Sequence, residues 1–323
     1  MSQQEWLLKS NEPWTHYRIM VDLLERPEDD KEVVEARVKM LAHPQIQSLI
    51  TKAAAWGVQP LKRHNDSSHP IYALVTLADF GLRASDNGIQ PIIEQILKNQ
   101  SAEGAFLSPL LIPQAYGGSG EMMWSWVACD APLLLYVLLS MGDARIHKAS
   151  EHLSSLVCEN GYRCAASADL AGFKGPGKHT APCPIANLIA LKALSLLPAE
   201  QNKPSIDLAI QMLLDFWKQR KEKKYFLFGM GTDFNKLKLP FVWFDLLHVL
   251  EVLSRFPSAI SDARYHEMLH ILKSNATPEG NYIATSAYQA WKGWSFADKK
   301  YPSPWLTFIV ERILKRSQAQ SLN

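Results

Sequence analysis

The sequence predicts an all-α protein, an (α/α)6 toroid of six inner and five to six outer helices in one domain over residues 1–323. Three observations predict it. Six strongly apolar segments open on a proline, at Pro13, Pro70, Pro132, Pro184, Pro240 and Pro304, about 52 to 64 residues apart. Amphipathic segments lie between them, and alternating strand patterns are scarce. A near-constant period of this size marks a repeat architecture, in which each unit buries its apolar face against its neighbours.

The proline-led segments read EPWTHYRIMVDLL, HPIYALVTLADFG, APLLLYVLLSMG, CPIANLIALKALSLL, LPFVWFDLLHVLEVL and SPWLTFIVERIL. A proline in the first helical turn gives up no intrahelical hydrogen bond, and its φ is already helical. A helix apolar on nearly every side must be surrounded by protein or lipid. The longest uninterrupted apolar run, Ala131 to Leu139, is far below the roughly 20 residues that span a bilayer. These six are therefore the inner helices. The outer candidates are Val33–Leu41, Ile46–Ala55, Ile92–Leu97, Ile146–Val157, Ile206–Trp217 and Tyr265–Leu272, each with apolar residues three and four apart. Gly81 and Gly142 stand where inner helices should end, and Pro198 and Pro257 block continuation elsewhere. Extended pieces are expected at most near Tyr225–Phe228 and Asn281–Ala284. Pro13-Trp14 and Pro304-Trp305 are expected to meet and close the ring.

With 47% apolar and 20% charged residues, the chain has material for a sizeable core and is not a disordered polymer. A net charge of +2 without a basic block gives no general affinity for nucleic acid. Four cysteines make no disulfide framework, and MSQQEWLLKSNEPW carries no apolar signal segment. The expectation is a soluble cytoplasmic protein, with peripheral membrane contact left open.

If the inner helices run parallel, their N-termini meet at one mouth, where free amides and partial positive charge favour anions. The loops feeding that mouth are long, 58–69, 107–131, 163–183, 222–239 and 283–303, and loops of that length are usually functional or disordered. They carry His69, Tyr116, Trp124, Trp126, Lys178, Lys238, Trp291 and Trp294, together with Lys62, Arg63, His64, Glu121, Lys174, Lys236 and Lys292. With Trp243 and Trp305 just inside, these residues suit a small apolar ligand with an acidic head group. The alternative is that the tryptophans simply pack between helices.

Gln100–Phe106 resembles the Q-x-x-x-G-x-W ending of the prenyltransferase/squalene-oxidase repeat, with Phe106 in place of Trp, and 160–162 and 279–282 are degenerate copies. On these residues the chain resembles the terpenoid-cyclase and protein-prenyltransferase superfamily. The resemblance implies an α/α toroid and an isoprenoid or isoprenoid diphosphate as ligand. The D-x-D-D acid of squalene-type cyclases is missing. Zinc-binding members hold the metal with Asp-x-Cys and a histidine, and Cys129, Asp130, His179 and Cys183 stand in similar places with the Asp/Cys order reversed. As a donor set these four suit zinc; equally, Cys129 and Cys183 could be small residues filling crowded helix ends.

Acid–base candidates are Asp130, Asp233, Asp245 and His248, the last two three apart and so on one helical face. Gly172–Thr180 matches a phosphate-loop pattern superficially, but His179 stands where Ser or Thr belongs and no buried strand precedes it. His266-Glu267…His270 matches H-E-x-x-H, yet both histidines fall off the buried face of their helix. The reading is an isoprenoid-handling enzyme. Its rivals are a non-catalytic toroid that binds a lipid, peptide or protein, and a carbohydrate-active toroid using two acids.

Overall fold

A computed structural model describes residues 3–170, 172–173, 180–222, 228 and 230–319. Those residues form fourteen α-helices: α1 (Gln3–Leu8), α2 (Pro13–Arg18), α3 (Lys31–Ala42), α4 (Pro44–Ala53), α5 (Pro70–Phe80), α6 (Gln90–Lys98), α7 (Ala131–Ser140), α8 (His147–Ser155), α9 (Pro184–Leu194), α10 (Ala199–Lys218), α11 (Leu246–Leu253), α12 (Pro257–Ile260), α13 (Ala263–Lys273) and α14 (Pro304–Ala319). A π-helical turn, Ile19–Leu23, continues α2. Two antiparallel hairpins complete the set: β1 (Ser108–Leu111) with β2 (Met122–Ser125), and β3 (Val157–Cys158) with β4 (Gly161–Tyr162).

Five of the six prolines stand in a first helical turn, as their chemistry dictates. Every residue of α5 and of α9 is buried, which explains why neither segment shows a polar face. Gly81 ends α5 with φ +92°, a left-handed conformation that glycine adopts without strain. The outer helices behave differently: α4 buries Ile46, Leu49, Ile50 and Ala53 and keeps its other face polar. That helix packs on α5, α3 on α2, α10 on α9 and α13 on α11.

The five proline-led helices and α11 touch in cyclic order: α2 with α5, α5 with α7, α7 with α9, α9 with α11, α11 with α14, and α14 with α2. Helix starts meet helix starts. His64, ahead of α5, bonds Asp130 at the start of α7, and the Trp291 indole, ahead of α14, donates to the Ser67 carbonyl at 2.8 Å. Ser295 donates to Glu12, which stands at the N-cap position of α2. Ends likewise meet ends: the Ala84 amide, past α5, donates to the Met141 carbonyl, past α7, at 2.9 Å. Arg255 reaches Ser195 across the ends of α11 and α9. The expected meeting of Trp14 and Trp305 occurs through Phe80, which stacks on Trp14 at 5.3 Å and meets Trp305 edge-on at 4.8 Å.

Two expectations are corrected. The fifth inner helix starts at Leu246 and not at Pro240. Asp245 accepts a hydrogen bond from the His248 amide at 3.0 Å and so caps it. Aspartate is a far better N-cap than leucine, so the cap sets the boundary. Residues 239–244 instead run as an irregular segment that buries Leu239, Phe241, Val242 and Phe244. Strands are scarce, as expected, but the two hairpins lie elsewhere than the extended pieces the sequence suggested. Their strands are two to four residues long, too short to show a period, and Asn281–Ala284 forms none. Of Tyr225–Phe228 only Phe228 lies among the described residues.

Candidate functional site

His64, Cys129 and Asp130 form the one group of possible metal ligands found among the described residues, with one ligand atom of each within 4.8 Å of the others. Local structure fixes all three. Leu61 bonds both sides of Pro109–Leu111, through its amide at 2.8 Å and its carbonyl at 3.0 Å. The Tyr72 hydroxyl donates to the His64 carbonyl. The His64 ring is thus held between a strand and the first turn of α5. Asp130 sits at the N-cap of α7, yet its side chain makes no cap bond. Its Oδ2 lies 2.8 Å from His64 Nδ1, while its Oδ1 is buried and has no partner.

Asp130 is 1% exposed and the His64 side chain 28%, so the pair joins a dry carboxylate to a ring that touches solvent. Burial works against a charged His64, but Asp130 and Cys129 beside it outweigh that and hold its pKa well above the usual histidine value. Burial pushes the Cys129 thiol up to about 11; His64 opposes this and Asp130 adds to it. A thiol, an imidazole and a carboxylate converging on one place fit zinc by donor type, and the unpartnered Oδ1 leaves the carboxylate a lone pair to give. The same geometry fits a proton-transfer pair without metal.

Three extended segments bring further sulfur near. The Ala128 amide donates to the Ala165 carbonyl, and the Cys183 amide to the Tyr162 carbonyl, each at 2.8 Å. Cys164 and Cys183 act on each other most strongly: Cys164 draws the Cys183 thiol below its ordinary pKa, and Cys183, with burial, raises that of Cys164. Cys183 thus lies beside Cys164 and outside the group of His64, Cys129 and Asp130. His179 and Lys178 lie outside the described residues, as do the central residues of the Gly172–Thr180 pattern. His64, which sequence reasoning placed on the rim without a role, is the imidazole beside Asp130. Its contact with Asp130 spans 66 residues and has no local signature.

A second group lies at the start of α11. Burial pushes the Asp245 carboxyl up to about 7, and its Oδ2 has no partner. His248 Nδ1 lies 2.9 Å from the Trp243 carbonyl, which can only accept, so this nitrogen carries the proton and buried Nε2 keeps a bare lone pair. Burial lowers His248 to about 3. Asp245 and His248 do not share a helical face, because Asp245 precedes the helix. Lys238 is buried, 3.5 Å from the largely exposed carboxylate of Asp233 and 5.5 Å from the Tyr288 ring. The Tyr72 phenol feels Asp130 most strongly among its charged neighbours and also Tyr288, which in turn feels Asp245.

The aromatic residues are dispersed. Trp291, Trp294 and Trp305 belong to the cluster around Trp14 and Phe80. Trp124 packs edge-on against Trp56, Trp126 donates to Glu103 and meets His152, and Trp243 stacks on Phe228. Tyr116 is exposed. His69 caps α5 through Nδ1 and bonds the Gln59 carbonyl through Nε2, leaving no ring nitrogen for a ligand. His266 and His270 face solvent, as their helical positions predict. Two recesses are present, neither lined by His64, Cys129, Asp130, Asp245 or His248. One is a small apolar void under Trp126, Phe106 and Leu153. The other is a surface hollow of ≈ 420 Å³ lined by Ser10, His16, Glu32 and Lys39. No helix among the described residues is long and apolar enough to cross a membrane.

No family model matches the chain, and no characterised protein matches it by sequence. Among solved structures it is similar to a protein from Actinoplanes, with 11% identity, TM-score 0.43, and 95% of this chain and 90% of that one covered. It is also similar to the type II terpene cyclase MstE from Scytonema in its apo form, at 11% identity and TM-score 0.46, covering 96% and 88%. A variant of MstE in complex with geranylgeranyl dihydroxybenzoate gives 12% identity and TM-score 0.46, covering 95% and 88%.

Proposed function

We propose that the chain is an α/α toroid of terpenoid-cyclase type and an enzyme that moves protons on an apolar, isoprenoid-like ligand at Asp130. The toroid is supported by the cyclic contacts of the five proline-led helices and α11, and by the meeting of starts with starts and ends with ends. The chemistry is carried by one observation. Asp130 has one oxygen held by His64 and the other buried and unpartnered. A carboxyl fixed on one side and open on the other can deliver a proton to, or take one from, a ligand placed against it. His64 orients that carboxyl and, being partly exposed, returns the proton from solvent. The Tyr72 phenol supplies an aromatic face nearby, on which positive charge in the ligand is tolerated.

The test is turnover of squalene, geranylgeraniol and geranylgeranyl diphosphate in deuterated buffer. The expected product carries solvent deuterium on carbon, and Asp130→Asn slows its formation about 10²- to 10⁴-fold. A variant with the parental rate, or a product without solvent deuterium, would remove Asp130 from the chemistry.

A second reading is favoured by the donor set itself: His64, Cys129 and Asp130 would hold a zinc ion. Bound there, zinc would keep Cys129 as a thiolate and act as a Lewis acid. Elemental analysis of protein from zinc-supplemented culture is expected to show one equivalent per chain, lost in Cys129→Ser and in His64→Ala. Metal-free wild-type protein from that culture excludes this reading and leaves the proton-transfer one standing.

A further inference from the structure

The described structure pairs two of the four cysteines. Arg163 and Pro182 face each other in an isolated antiparallel bridge, which sets Tyr162 opposite Cys183. Residues two apart on an extended segment share a face, so Cys164 and Cys183 are diagonal neighbours on one side of this ribbon. Each thiol feels the other more strongly than any other neighbouring group. Cys183 stands at the N-cap of α9, beside the free amides of that helix's first turn. Cys164 is half-buried and Cys183 is 7% exposed, an opening for a small reagent but not a bulky one. Cys158 is engaged elsewhere, its thiol 3.8 Å from the Leu156 carbonyl.

From this geometry we propose that Cys164 and Cys183 form a reversible dithiol–disulfide couple, a modification site whose oxidant is a small hydroperoxide. The inference does not depend on the proton-transfer reading. Cys183 sulfur attacks one peroxide oxygen; the O–O bond breaks, hydroxide leaves and takes up a proton as water, and Cys183 becomes a sulfenic acid. Cys164 then gives up its proton and its sulfur attacks Cys183, expelling the hydroxyl as a second water. Two thiols lose two electrons in all, and one peroxide becomes two waters. The new bond ties the segment beside Cys129 to the start of α9 and closes residues 165–182 into a loop. A dithiol reductant reverses it by exchange.

The experiment treats the full chain at pH 7 with one to five equivalents of hydrogen peroxide, alkylates remaining thiols after denaturation, and maps the peptides by mass. Expected is a loss of about 2 Da, a Cys164–Cys183 cross-linked peptide, alkylated Cys129 and Cys158, and full reversal by dithiothreitol. In Cys164→Ser the 2 Da loss disappears and Cys183 gains about 16 or 32 Da instead. Four alkylated cysteines after treatment would overturn the proposal. So would a disulfide that includes Cys129 or Cys158, or an unmodified Cys183 in the Cys164→Ser protein.

Discussion

Replacing Glu251 with alanine is expected to cost about 3–5 kcal/mol of folding stability, a large share of what a domain has to lose. Glu251 is fully buried near the end of α11, and its Oε1 meets Arg255 at 2.7 Å, Arg312 at 3.1 Å and Arg316 at 3.3 Å. Arg312 also reaches Asp22, past α2, at 3.0 Å, so one carboxylate of α11 gathers an arginine just past that helix and two from α14, and links onward to the turn after α2. Removing it leaves guanidinium groups crowded together without their counter-charge, and buried charge that loses its partner is far more costly than the pair was worth. That crowding is already felt: burial and the neighbouring Arg312 and Arg255 pull Arg316 down to about 10.

Burial alone would raise the Glu251 pKa, but Arg255, Arg312 and Arg316 together hold it well below the usual glutamate range. A carboxylate depressed in this way stabilises the fold fully above its unfolded pKa of roughly 4.3, and that contribution is lost as pH falls through the folded value. Urea unfolding at pH 7 should therefore show the full deficit of Glu251→Ala, and the gap to the parent should narrow in strong acid. Glu251→Gln, which keeps the shape, should lose nearly as much. A deficit under about 1 kcal/mol would mean the cluster is solvated and contributes little.

Asp245→Asn is expected to act in the opposite direction. The folded protein pushes this carboxyl up to about 7, through burial, from its ordinary value near 3.8. The folded state thus holds the proton more tightly than the unfolded chain does, so stability falls as pH rises from about 4 to about 7. Asparagine caps a helix as well as aspartate and carries no charge to desolvate. At pH 8 the variant should gain roughly 2–4 kcal/mol over the parent, with no gain at pH 4. Denaturant midpoints measured across that range decide it; equal gains at both ends would show that charge is not the cause. A stabilising substitution at a buried, half-satisfied carboxyl would also mark Asp245 as kept for something other than folding.

Much of the helical plan was legible because its signals are local. Pro13, Pro70, Pro132, Pro184 and Pro304 each open a helix by the constraint within their own ring, and the apolar three-and-four spacing of Ile46, Leu49, Ile50 and Ala53 states which face of α4 is buried. Pro240 failed as a marker because a stronger local signal, the capping carboxylate of Asp245, lies five residues on. The rim tryptophans misled for a related reason. An indole in a long loop satisfies a cavity wall and a gap between helices equally well, and here Trp291, Trp294 and Trp305 gather around Trp14 and Phe80.

The candidate site was half legible. Cys129 and Asp130 stood out because they stand in places similar to the metal ligands of the zinc-binding members of the resembled superfamily. His64 and Cys164 did not, since their partners are remote in sequence. By itself, then, the sequence determined the helices, their period and the side each buries, because φ restriction, capping and apolar spacing act within a few residues. Only the tertiary structure decided which imidazole meets Asp130, which cysteines lie side by side and which carboxylate gathers the arginines. Those contacts join residues that the chain separates and packing alone brings within a few ångströms.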